Sequence, residues 1–161
     1  MATPQENSER TVQLRRTFAA PREKVFEAWT RKELLEQWMC RDEKTHDVKY
    51  TSLDVRPGGS YTMKISAPKG ITYDMGGVFR EVKPPEKLVF TWNWKKIPAV
   101  AGEQSESGET LLTVEFFEHG NETEVVLTHE LGPNAGPRES YDKGWKGCFD
   151  ILATVLEKAS P

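Results

Sequence analysis

The chain has 161 residues, 37% hydrophobic and 29% charged, with 22 Lys and Arg against 25 Asp and Glu for a formal net charge of −3. That balance excludes a disordered chain and an integral membrane protein, suits a core burying roughly 70% of the unfolded surface, and leaves no net positive field to gather nucleic acid. Two cysteines, Cys40 and Cys148, are too few and too far apart for a disulfide framework or a metal clip, and no apolar leader opens the chain, so the expected compartment is the cytoplasm.

Residues 1–10 are polar and have no apolar period, which predicts a loose tail ahead of one domain over 11–158. From Thr11 to Phe18, Val12, Leu14, Arg16 and Phe18 alternate with Gln13, Arg15 and Thr17. That is a half-buried strand with Arg16 as the odd inward member. Ala20-Pro21-Arg22-Glu23 reads as a helix start, with proline at the first helical position and Glu23 in the positive first turn. Val25, Phe26 and Trp29 supply its buried face, and a second short helix over about Lys32 to Trp38 offers Leu34, Leu35 and Trp38.

From His46 to Glu130 the period becomes that of strands, punctuated by Pro57-Gly58-Gly59, Pro68-Lys69-Gly70, Pro84-Pro85-Glu86-Lys87 and Gly120-Asn121. The predicted strands are about Val48 to Val55, Ser60 to Ala67, Ile71 to Val82, Lys87 to Trp94, Thr110 to Phe117 and Thr123 to Glu130. A last helix ends near Lys158, with Tyr141, Gly144, Trp145, Cys148, Ile151, Leu152 and Val155 on one stripe.

A two-residue turn at Gly120-Asn121 pairs Phe116 with Val125, Val114 with Leu127 and Leu112 with His129, so one face is apolar except for His129. A turn over Pro84 to Lys87 places Phe79 opposite Trp92 and Gly77 opposite Trp94. Tyr61, Met63 and Ile65 share a face with Tyr73, Met75 and Gly77 only if the Pro68 to Gly70 loop has an odd count. Such a sheet must cover its apolar face, and the last helix is the only element long enough to do so. Gly144 and Gly147 inside that helix each cost about 1 kcal/mol relative to alanine. Either the backbone approaches the sheet closely there or room is left for a guest.

Four blocks then resemble one family: Arg16 to Thr30 (RTFAAPREKVFEAWT), Asp54 to Gly59 (DVRPGG), Pro84 to Trp92 (PPEKLVFTW) and Gly144-Trp145. They are similar to the START-like (SRPBCC) superfamily, and within it to the branch labelled activator of heat-shock protein 90 ATPase homologue-like. The resemblance spans about Arg10 to Leu156 and implies an α+β helix-grip fold. In that fold a curved seven-stranded antiparallel sheet wraps a long C-terminal helix, two short helices follow the first strand, and a hydrophobic cavity lies between sheet and helix. It further implies an apolar small molecule or lipid-like ligand, with a cyclase or dehydratase activity as the enzymatic alternative. The branch label adds a stress-linked chaperone contact, and a homodimer contact is the other protein partner left open. Trp38-Met39-Cys40-Arg41 stands where relatives often carry a tryptophan-rich, proline-containing segment.

The side chains expected to line the cavity are Trp29, Tyr61, Met63, Tyr73, Met75, Phe79, Trp92, Trp94, Leu112, Val114, His129, Tyr141, Trp145 and Cys148. His129 is the sharpest polar candidate: a neutral imidazole on an apolar wall can bond a guest's carbonyl or work as an acid-base group, or it can be a core histidine satisfied by a neighbour. Tyr61, Tyr73 and Tyr141 either point hydroxyls inward or tie the core to its rim. Lys95 to Glu109 is a long connection that reads as a flap over the cavity mouth or as disorder. No cofactor and no metal is expected. His46, His119 and His129 lack metal-ligand spacing, and the chain has neither a Gly-x-Ser-x-Gly elbow nor a phosphate-cradling glycine loop.

Overall fold

Strands that are apolar at every second position bury one face and wet the other, and here seven of them share a single buried face. The computed structural model describes residues 11–39, 47–66, 72–94, 110–131 and 138–159. The expected tail over residues 1–10, Cys40, His46 and the connection from Lys95 to Glu109 lie outside the described residues. In chain order the elements are β1 (Thr11–Phe18), α1 (Arg22–Ala28), α2 (Lys32–Trp38), β2 (Asp47–Leu53), β3 (Ser60–Ser66), β4 (Thr72–Lys83), β5 (Lys87–Trp94), β6 (Thr110–His119), β7 (Glu122–Glu130) and α3 (Arg138–Ala159). The strands form one curved antiparallel sheet in the order β1-β7-β6-β5-β4-β3-β2, and α3 packs on it. The fold is an α+β helix-grip. Pro21 stands one position earlier than predicted, as the N-cap of α1, where its carbonyl accepts from the Lys24 and Val25 N–H groups.

The β6–β7 hairpin has the predicted register, with Phe116 opposite Val125, Val114 opposite Leu127 and Leu112 opposite His129. Gly120 takes φ +64 in the two-residue turn, a conformation glycine adopts without steric cost. Between β3 and β4, Tyr61 meets Gly77, Met63 meets Met75 and Ile65 meets Tyr73, so the odd loop count holds. The β4–β5 register differs from expectation. Met75, not Gly77, faces Trp94, and Phe79 faces Phe90, not Trp92. Two local features account for the slip. The turn closes with Glu86 N–H on Lys83 O, so Lys83 pairs with Lys87 across three residues, and a bulge between Phe79 and Glu81 takes up one more. Gly77 instead lies against the Thr91 backbone, where a Cβ would stand 2.0 Å from Thr91 O.

Both sheet edges are tied to helices. On β1, Arg138 Nε of α3 donates to Thr11 O at 2.8 Å, and the odd inward residue Arg16 pairs with Asp150 of α3. On β2, the Tyr50 N–H donates to the Glu36 carboxylate of α2 at 2.7 Å. Backbone groups that would otherwise template another strand are thereby engaged.

The buried stripe of α3 is Trp145, Cys148, Phe149, Leu152, Val155 and Leu156, with Tyr141 and Ile151 half-buried. Gly144 is exposed, although steps of about 100° per residue set it on the same flank of the helix as Ile151 and Val155. A methyl built on Gly144 or Gly147 meets no described atom within 4 Å. Among the described residues, close backbone approach therefore accounts for neither glycine. Gly144→Ala and Gly147→Ala should each raise stability by about 0.5–1 kcal/mol, through the helix propensity of alanine and the lower entropy of the unfolded chain. Thermal unfolding should show a rise of roughly 2–4 °C per kcal/mol. A fall would mean that a neighbour uses the space.

Candidate functional site

Alternation along β7 turns His129 inward, and the register with β6 sets it beside Leu112, so an imidazole is seated in an apolar wall. It is wholly buried, at 0% exposure. Its partners come from two other elements. Trp145 of α3 donates its indole Nε1–H to His129 Nδ1 at 3.1 Å, and Thr110 Oγ1 at the start of β6 lies 2.8 Å from His129 Nε2. An indole N–H can only donate, so Nδ1 accepts and the imidazole proton sits on Nε2, pointing at Thr110. The threonine hydroxyl passes its own proton to Trp92 O at 2.7 Å. The relay Trp145, His129, Thr110, Trp92 therefore runs from the helix into β5 and ends on a backbone carbonyl.

Burial without a nearby charge pushes the His129 pKa from 6.5 down to about 3. A neutral ring with both nitrogens engaged has no spare proton site for acid-base work near pH 7. What the arrangement does do is pin α3 to the sheet through one oriented ring.

Aromatic rings surround the relay. His129 meets Tyr141 edge-on at 5.1 Å and Trp92 at 6.0 Å, and Trp92 leans on Trp145 at 5.2 Å. Trp29, just past α1, stacks on Trp145 at 6.3 Å with an interplanar angle of 25° and meets Trp38, Phe116 and Phe149 edge-on. Such pairs add about 0.5–1.5 kcal/mol each beyond area burial. Further along the inner face, Tyr61 packs against Tyr50, Phe79 and Phe90, and its hydroxyl donates to Thr91 O at 2.6 Å. The tyrosine thus ties core to backbone.

Of the expected wall, Trp29, Tyr61, Met63, Met75, Phe79, Trp92, Leu112, Val114, His129, Trp145 and Cys148 are all buried, and Tyr141 is half-buried. Met63 and Met75 face one another across β3 and β4. Tyr73 and Trp94 hold their places in β4 and β5, but their side chains lie outside the described residues. Sequence reasoning missed Thr110, Thr91 and Phe149. Thr110 was within reach, because it shares the inward set of Leu112 and Val114 and stands diagonally beside His129. Phe149, four residues after Trp145, was legible from helical spacing alone. No group of three or more His, Cys, Asp or Glu suited to a metal ion occurs among the described residues.

Residues 19–157 match the family model described as activator of Hsp90 ATPase homolog 1-like protein. The chain belongs to that family. No curated protein matches the chain. Solved structures similar to this member of the Hsp90 ATPase activator homolog 1-like family are all bacterial in the following three cases. A Chromobacterium violaceum protein is 27% identical with TM-score 0.79, covering 92% of this chain and 97% of its own. A Rhizobium leguminosarum protein is 24% identical with TM-score 0.76, covering 92% and 94%. A Rhodobacter sphaeroides protein is 20% identical with TM-score 0.78, covering 98% and 97%. The last two likenesses establish the fold alone.

Family membership supports a ligand-binding or co-chaperone-like role at the superfamily level. Among the described residues no helix is long and apolar enough to cross a membrane.

Proposed function

We propose that this protein binds an apolar small molecule or lipid-like ligand between α3 and the inner face of the sheet, and does so without catalysing a reaction on it. The observation that carries the reading is the character of that face. It combines stacked and edge-on tryptophans with opposed methionines, whose flexible thioethers adapt to varied shapes. The enzymatic alternative needs a proton donor or acceptor in the wall, and His129 has given both nitrogens to Trp145 and Thr110. Because these walls are buried, a guest reaches them by displacing what covers them, which favours slow uptake.

Incubating the purified protein with a naphthylamine dye and with a total lipid extract tests the proposal. Saturable dye fluorescence that an extracted compound displaces, with that compound identified by mass spectrometry after gel filtration, is the expected result. A protein that neither lights the dye nor retains any compound is not a binder. The family description favours a second reading, contact with a heat-shock chaperone. Enrichment of the host's chaperone on the immobilised protein at physiological salt would support it, and an empty eluate would dismiss it.

A further inference from the structure

The indole of Trp29 differs in one respect from the two indoles it touches, Trp38 and Trp145. Trp38 donates its Nε1–H to Ala28 O at 2.9 Å and Trp145 donates to His129, whereas Trp29 Nε1 is buried with no hydrogen-bond partner. The residue is 2% exposed, and the rings in contact with it are Trp38, Phe116, Trp145 and Phe149. An orphaned buried donor costs about 1–3 kcal/mol. Water is a poor remedy here, because it needs two or more polar partners and those rings offer it none. An oxygen that arrives attached to an apolar body suits the place better, since its remaining surface is satisfied by the same rings.

Charge sets a second constraint. The wholly buried polar residues among those described are Thr91, Thr110, Thr123 and His129, with no Asp, Glu, Lys or Arg among them, and of the half-buried Arg22 the Nε is buried without a hydrogen-bond partner. Arg16, the charged residue on the inner face of β1, is partly exposed and already paired with Asp150. A carboxylate or ammonium carried in beside Trp29 would find no ionised group among the rings that touch this indole, and an isolated ion in such surroundings is strongly disfavoured. We infer that the ligand is an uncharged apolar molecule with a hydrogen-bond acceptor, a ketone, ester or ether oxygen, which accepts from Trp29 Nε1–H. The inference rests on the binding role proposed above and narrows it to one chemical class and one anchoring donor.

Three probes of matched shape separate the terms: 1-acetonaphthone carries the acceptor, 1-ethylnaphthalene lacks it, and 1-naphthoate replaces it with a charge. Titration at pH 7.5 should show the ketone binding at least about tenfold more tightly than the naphthoate. Trp29→Phe keeps an aromatic ring and removes the N–H; it should weaken the ketone roughly fivefold to tenfold and leave 1-ethylnaphthalene within about twofold. In the unaltered protein, the Trp29 indole proton resonance should move downfield with the ketone and not with the hydrocarbon, a readout that does not depend on the variant folding. Equal affinity for naphthoate and ketone, an equal effect of Trp29→Phe on ketone and hydrocarbon, or an unmoved indole proton would overturn the inference. If the naphthylamine dye binds and the ketone does not, the acceptor class is wrong while the binding role stands. If neither binds, both fall.

Discussion

His129→Leu should lower stability by about 2 kcal/mol at pH 7 and by nothing, or less than nothing, at pH 4.5. The loss at neutral pH comes from the Trp145 indole N–H, which keeps its burial and forfeits its acceptor. The reversal comes from proton linkage. His129 titrates at 6.5 when unfolded and near 3 when folded, so between those limits the unfolded chain binds a proton that the native chain refuses. Stability from this group is complete above pH 6.5 and falls by about 1.4 kcal/mol per unit below it, roughly 2.7 kcal/mol by pH 4.5. Leucine abolishes that term. Urea denaturation from pH 4.5 to 7.5 should therefore give curves that cross near pH 5. Parallel curves would show that His129 is protonated in the fold or paired otherwise. Burial explains the refusal, and the donor geometry agrees with it: a proton on Nδ1 would face the Trp145 N–H, donor against donor.

Gly77→Ala should be more damaging at every pH, by about 3 kcal/mol or more, a fall of roughly 6–12 °C in Tm. The added methyl would stand 2.0 Å from Thr91 O and 2.8 Å from Thr91 Oγ1. Those two atoms are occupied, since Thr91 O accepts from the Tyr61 hydroxyl and Thr91 Oγ1 accepts from the Val78 N–H at 2.8 Å. Moving Thr91 aside thus breaks two more bonds and loosens Tyr61 from the wall. Calorimetry that finds Gly77→Ala within 1 kcal/mol of the parent protein would mean that β5 yields easily at this point.

The two predictions mark where the linear reading was strong and where it failed. The hairpin of β6 and β7 was legible residue by residue, because a two-residue turn leaves one register and the alternation leaves one assignment of faces. Its outcome, an imidazole on an apolar wall, was legible too. The β4–β5 register was not. Gly76-Gly77 inside a strand signals a bulge or a close approach nearby, but it names neither the position after Phe79 nor Thr91 as the partner. The exposure of Gly144 is likewise not legible, since helical spacing sets it beside Val155 and only the fold leaves it uncovered.

Alternation, turn residues and spacing by themselves determined seven strands, three helices and an inward set of aromatic and thioether side chains, because those features depend on neighbours a few positions away. Only the tertiary structure decided what that set does. It joined Thr110, His129 and Trp145 into one oriented relay, left the Trp29 N–H without an acceptor, and set uncharged rings around that indole. Hydrogen-bond direction and burial arise between elements that meet only on folding, and no periodicity along the chain encodes them.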